Sequence, residues 1–185
     1  MSSQYTDLPA GLPVPSDDGL AAHLKGIALP NVLFDSTGGH QVDLRAISGT
    51  VVVYVYPLTG RPGIALPEGW DEIPGARGCS PQACDFSNHH QQLQDLGATV
   101  FGLSTQTNDY QAELKQRLHL SFDLLSDSDF QLKHVLHLPV FEVGKLVLYK
   151  RLTLIAEAQT IKKVFYPVFP PDVHASQVIA WLKNH

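Results

Sequence analysis

Residues Thr50 to Pro57 read TVVVYVYP, a near-continuous β-branched and aromatic run. A strand with one wet face alternates apolar and polar side chains, so a run without alternation predicts a central strand covered on both faces. A second buried strand is expected at ATVFGLS, Ala98 to Ser104, and a shorter one at FDLLSD. Between these lie helical stretches: one starting at Ser80-Pro81 and running to about Leu96, one in TNDYQAELKQRLHL, and one from Ser128 to His137. Ser80 is read as the cap of the first, with Pro81 in the first helical position, where its missing N–H costs nothing. Phe86, Leu93 and Leu96 share one side of it, and Gly97 is a natural stop.

Upstream, GIALPNVLFDSTGGHQVDL has two short apolar runs parted by Ser36, Thr37, Gly38 and Gly39, the chemistry of an edge hairpin. Downstream of Pro139, strands are expected around Val143 to Ile155 and Thr160 to Tyr166, and DVHASQVIAWLKN closes the chain as an amphipathic helix. Alternating strands and helices followed by a hairpin and a last helix imply an α/β sandwich with a mixed sheet. The length of 185 residues suits a single core. Residues 1–25, rich in Pro, Gly, Ser and Asp, read as an N-terminal arm, and residues 26–185 as one domain. Leu58 to Arg77 is Pro- and Gly-rich and reads as a long structured loop, a length usually tied to function.

A net charge of −5 gives no basic footprint for nucleic acid. No stretch is apolar enough for a membrane span or a secretory leader, so cytoplasmic residence is the default expectation. Two cysteines are too few for a structural disulfide framework, and a reducing cytosol would not maintain one. Any disulfide is therefore expected to be transient and chemical.

The chemistry concentrates in PGARGCSPQACDF, Pro74 to Phe86. Cys79 lies at the expected helix start, where unpaired N–H groups and the helix dipole favour a thiolate. On an intact helix, Cys79 and Cys84 would have Cα atoms roughly 8 to 9 Å apart. Disulfides rarely bridge more than about 7 Å, so a bond between the two requires the first turn to unwind. The bland alternative is a pair of small buried apolar residues. A metal site drawing on His89, His90, His134 or His137 lacks the register of a zinc motif, and no metal or other cofactor is expected.

These motifs resemble the peroxiredoxins, specifically the Q-type or bacterioferritin comigratory protein group. The resemblance rests on YP at Tyr56 and Pro57, GCS at Gly78 to Ser80, and CDF at Cys84 to Phe86. FGLSTQ, FDLLSD and YKRLTLI follow in the family's order, so it covers roughly residues 26 to 184. It implies a thioredoxin-like fold, a Cys79 that reduces hydroperoxides, a resolving Cys84, and Arg151 completing the site beside its neighbour Lys150. It further implies substrate contacts from Pro57, Gly78 and Ser80, a thioredoxin or glutaredoxin-like reductant, and a monomer or weak homodimer. Two departures stand out. Ala76 occupies the place of the family's Thr or Ser, and the chain is longer between Pro57 and Cys79. Thr59 is the expected source of the missing hydroxyl. Rivals are a redox switch of the same fold without turnover, a disulfide reductase, which would need Cys-x-x-Cys, and a copper-delivery protein, which would need a closer pair.

Overall fold

The computed structural model describes residues 7–185. Its main sheet is mixed. Strands β1 (Leu33–Ser36), β2 (Gln41–Asp43), β3 (Thr50–Val55), β4 (Ala98–Ser104), β5 (Asp123–Ser126), β8 (Leu152–Glu157) and β9 (Thr160–Phe165) run in the order β2-β1-β5-β4-β3-β8-β9. β3, β4 and β5 are mutually parallel, while β8 lies antiparallel on the other side of β3. Helices α1 (Cys79–Asn88), α2 (His90–Asp95), α3 (Asn108–Leu118), α4 (Gln131–Leu136) and α5 (His174–Leu182) complete the α/β layers.

β3 explains the absence of alternation in its sequence. Val51, Val53 and Val55 enter one core with Phe34, Leu132 and Tyr149. Val52, Tyr54 and Tyr56 enter the other with Phe86, Leu93, Leu114 and Val178. Every side chain of the strand core therefore leaves water, each contributing about 1.5 to 3 kcal/mol of transfer free energy. On the second face Tyr54 stacks on Phe86 with ring centroids 4.6 Å apart, which docks α1 on the sheet. The ring has room because its partner across the ladder is Gly102; a Cβ there would come within 2.6 Å of the tyrosine.

Several sequence expectations are corrected. The helix expected to run from Ser80 to about Leu96 is two helices, α1 and α2, interrupted at His89. The helix placed at Ser128 to His137 shortens to α4, because the Asp127 carboxylate accepts the N–H groups of Gln131 and Leu132 at 2.8 and 3.0 Å and so fixes its start. The strand region from Val143 onward divides. β6 (Val140–Val143) and β7 (Leu146–Tyr149) form a hairpin outside the main sheet, and only β8 joins β3.

That hairpin packs on the loop of residues 58–77. Trp70, Ala76 and Leu148 are its buried centre, with Leu58, Leu66, Ile73, Phe141 and Val143 around them. The Pro- and Gly-rich loop thus carries a small apolar core of its own. The arm also belongs to the fold: Ala21 and Leu24 are core residues, and Asp18 binds Lys150 and the Tyr166 hydroxyl. A boundary at residue 25 cuts through packed structure.

Candidate active site

α1 starts two residues earlier than its sequence suggests. Gly78, not Ser80, is the cap, and Cys79 is the first helical residue, with Pro81 the third. The proline is still tolerated, since N–H groups of a first turn have no intrahelical acceptor. Gly78 has φ of +103°, a conformation side chains rarely adopt, and a Cβ there would lie 2.4 Å from Pro171. The backbone turns sharply into the helix at this point and sets the sulfur at its mouth.

Cys79 is 3% exposed. Its Sγ lies 3.1 Å from Nη2 of Arg151 and donates toward the Ala76 carbonyl at 3.5 Å. The guanidinium is held by a collar of backbone oxygens, with Nε donating to Gly75 at 3.2 Å and Nη2 to Ala76 and Arg77 at 3.0 and 3.2 Å. Nη1 donates to the Gln82 amide oxygen from the second turn of α1. Nη2 has two N–H groups for three acceptors, so one is shared between neighbours around the planar fork, and a permanently charged guanidinium is fixed against the sulfur. Arg151 immediately precedes β8, and its neighbour Lys150 turns the other way to Asp18. The loop of residues 75–77 therefore acts through its carbonyls. Ala76 contributes no hydroxyl; its methyl sits in the apolar cluster with Trp70 and Leu148.

Among the residues singled out from sequence, Gly78 and Ser80 line a narrow cleft over Cys79, together with Leu58, Leu66, Trp70 and Arg77. Pro57 is buried directly after β3 and does not line it. Thr59 is likewise elsewhere. Its N–H and hydroxyl both donate to the Gln106 amide oxygen, at 3.0 and 2.9 Å, and the Tyr110 hydroxyl donates to its carbonyl. The hydroxyl expected to replace the family threonine is engaged 47 residues away in sequence, which local spacing does not reveal. Gln82 was missed for the opposite reason: a glutamine on a helix carries no signal until its carbonyl is seen on Arg151. Its Nε2 is buried and meets no hydrogen-bond partner among the described residues.

Cys84 lies on the same unbroken helix, and both thiols are free. Cys84 is half-buried, and burial pushes its thiol up, only partly offset by Arg117. Next to it, Asp85 is raised by burial although its Oδ2 accepts the Ala175 N–H at 2.7 Å and His89 lies within reach. Asp85 thereby ties α1 to the start of α5. Phe86 presses on the ring of His174, whose nitrogens face Thr153 Oγ1 and Gln177 Oε1, each at 2.9 Å. Burial holds that imidazole down at about 4.

The redoxin family profile matches residues 24–179. The chain belongs to the redoxin family. Among relatives of this redoxin, peroxiredoxin Q of Oryza sativa subsp. japonica is 28% identical over 191 residues, spanning 100% of this chain and 80% of the plant protein. Peroxiredoxin Bcp of Bacillus subtilis is 27% identical over 122 residues, or 65% of each chain. The fold matches that of peroxidoxin BcpB from Mycobacterium tuberculosis, with a TM-score of 0.72 and 23% identity, over 88% of this chain and 98% of that one. The bacterioferritin comigratory protein of Xanthomonas campestris gives 0.68 at 22% identity, over 96% and 99%. The redoxin is thus of the peroxiredoxin Q and Bcp type, with a thioredoxin-like fold.

Proposed function

We infer that this redoxin is a thiol-dependent peroxidase whose nucleophile is Cys79. The 3.1 Å contact between Arg151 Nη2 and Cys79 Sγ carries the reading, because it sets a guanidinium within hydrogen-bonding distance of that sulfur. In the cycle that fits this arrangement, the Cys79 thiolate attacks one peroxide oxygen in line with the O–O bond. The S–O bond forms as the O–O bond breaks, and the departing oxygen leaves as water or an alcohol after taking a proton. N–H groups at the mouth of α1 and the Arg151 guanidinium face the site of developing charge. Ser80 lines the cleft and takes the place first given to Thr59, whose hydroxyl is occupied by Gln106.

The resulting sulfenic acid meets Cys84 only after α1 unwinds, since a helix holds the two Cα atoms about 8 to 9 Å apart. Attack by the Cys84 sulfur then forms the disulfide and releases water. A thioredoxin-type dithiol reduces it by exchange and is itself oxidised. Burial raises the Cys84 thiol, so less of that sulfur is thiolate at neutral pH. A monomer in the cytoplasm is the setting we propose.

The test combines turnover with trapping. Steady-state reduction of hydrogen peroxide with thioredoxin should vanish in Cys79→Ser. After one equivalent of peroxide, mass spectrometry of Cys84→Ser should find one added oxygen on Cys79, against a Cys79–Cys84 disulfide in the parent. Peroxide consumption by Cys79→Ser at the parental rate would refute the assignment. A single oxidation without repeated turnover would make the protein a redox switch instead.

A further inference from the structure

We propose that Asp18 is a positioning residue for Arg151, carried to its place by the N-terminal arm, which straps the guanidinium's supports together. This rests on the peroxidase reading and adds to it what keeps the cation in register with the Cys79 sulfur. Lys150 and Arg151 link β7 to β8, strands of different sheets, and lie outside both ladders. On this link the Lys150 N–H donates to the Pro139 carbonyl at 2.8 Å, and its Nζ donates to Asp18 Oδ2 at 2.5 Å. The two side chains leave the link on opposite sides, Lys150 to Asp18 and Arg151 to Cys79, so an anchor on the first restrains the second. Asp18 Oδ1 also accepts the Tyr166 hydroxyl at 2.7 Å. The bond from Lys150 holds the Asp18 carboxyl down at about 2, so the pair is ionised at neutral pH.

The same arm reaches the acceptors of the guanidinium. Those are the carbonyls of Gly75, Ala76 and Arg77, and the arm lies against both ends of that segment. A Cβ placed on Gly75 would lie 3.4 Å from Pro15, and one placed on Gly78 would lie 2.8 Å from Leu8 Cδ1. The arm thus touches the collar through Leu8 and Pro15, and the link that delivers Arg151 through Asp18. Between the arm and Arg151 itself is a cavity of about 250 Å³, lined by Pro15, Ser16 and Asp18 on one side and by Pro74, Lys150 and Arg151 on the other. The strap therefore works on what holds the guanidinium and leaves the cation's own contacts to the collar, Gln82 and the sulfur. Pro9, Pro13 and Pro15 restrict the arm before it docks, which lowers the entropy lost on ordering it. Ala21 and Leu24 fix its far end in the core.

The sign of the effect separates positioning from charge alone. Negative charge develops on the departing oxygen, so removing a nearby carboxylate would, through space, speed the reaction. Losing a group that places Arg151 slows it. The experiment measures the rate of sulfenic acid formation with hydrogen peroxide, by rapid quenching and mass spectrometry, with Cys84→Ser present throughout. In Asp18→Asn the Tyr166 hydroxyl keeps an acceptor while Lys150 loses its charge partner, and the rate should fall roughly fivefold, the upper range for a partly exposed ion pair. Asp18→Glu keeps the charge and should stay within about twofold of the parent. Beside Arg151→Lys, Asp18→Asn should change the rate by less than about twofold, because a group that acts through Arg151 has nothing left to place. A parental or faster rate in Asp18→Asn overturns the proposal. So does a loss in Asp18→Glu equal to that in Asp18→Asn, or a loss that recurs in full beside Arg151→Lys. Failure of the peroxidase reading is a different result: with Asp18 and Arg151 both in place, hydrogen peroxide adds no oxygen to Cys79.

Discussion

Arg151 spends three nitrogens on five acceptors, so the position is intolerant of anything but a planar fork. Lysine keeps the charge but cannot reach the carbonyl collar, Gln82 and the sulfur together. Losing one charge-assisted bond typically costs about 1.5 to 3 kcal/mol. Arg151→Lys should therefore slow sulfenic acid formation by roughly 10- to 100-fold in stopped-flow measurements with hydrogen peroxide. Gly78 is equally constrained. Alanine there meets both the positive φ and the Pro171 contact, and should lower the thermal midpoint by the equivalent of about 2 kcal/mol or more while slowing turnover. Retained activity and stability in Gly78→Ala would show that α1 can be entered another way.

His174 links burial to acid sensitivity. Its imidazole titrates at about 4 in the folded protein, against an ordinary 6.5, because burial disfavours the charged form. The unfolded chain takes up this proton as pH falls below about 6.5 and the folded chain does not, until about 4. Stability from this group is therefore complete above pH 6.5 and is lost progressively between 6.5 and 4, by about 3 kcal/mol. Asp85, raised by burial, acts in the opposite sense around the carboxylate range. In His174→Gln the denaturant midpoint should vary less between pH 6.5 and 4 than in the parent; an unchanged slope would mean the imidazole is not what titrates.

At the scale of elements, α1 joins the chemistry to the rest of the layer. Its first turn holds the sulfur, its second holds Arg151 through Gln82, and its third is bound to α5 through Asp85 and Phe86. Unwinding residues 79–84 pulls on all three. Hydrogen exchange should accelerate at residues 79–86 in the disulfide form relative to the reduced form, and the Ala175 amide should accelerate with them. Protection identical in the two forms would exclude helix melting as the route to the disulfide. The break at His89 was not legible in the sequence, because Phe86 and Leu93 keep helical spacing across it. β3 and β4 were legible, since a strand buried on both faces leaves an unbroken apolar run. For β6 and β7 the strands could be read but not their sheet: residue pattern gives a strand's faces and says nothing of which neighbour it pairs with.

For the molecule as a whole, the layer order and the cysteine helix could be read from the chain, while the small third core could not. Proline and glycine marked residues 58–77 as a loop, and only packing reveals that Leu58, Leu66, Trp70 and Ile73 meet the hairpin. The arm of residues 1–25 contributes Ala21 and Leu24 to the core, and immediately after it residues 26–29 run along the outer side of β9, with Gly26 donating to the Ile161 carbonyl, Ile161 to that of Ile27, and Leu29 to that of Gln159. At the opposite margin, β2 has only three residues. Short or covered margins leave little backbone for a second sheet to pair with. Deleting residues 1–29 would bare β9 and supply a template for strand addition. Such a shortened protein should sediment as larger, concentration-dependent species than the parent does, so a segment well ahead of the reactive thiols in sequence also serves as the guard against self-association.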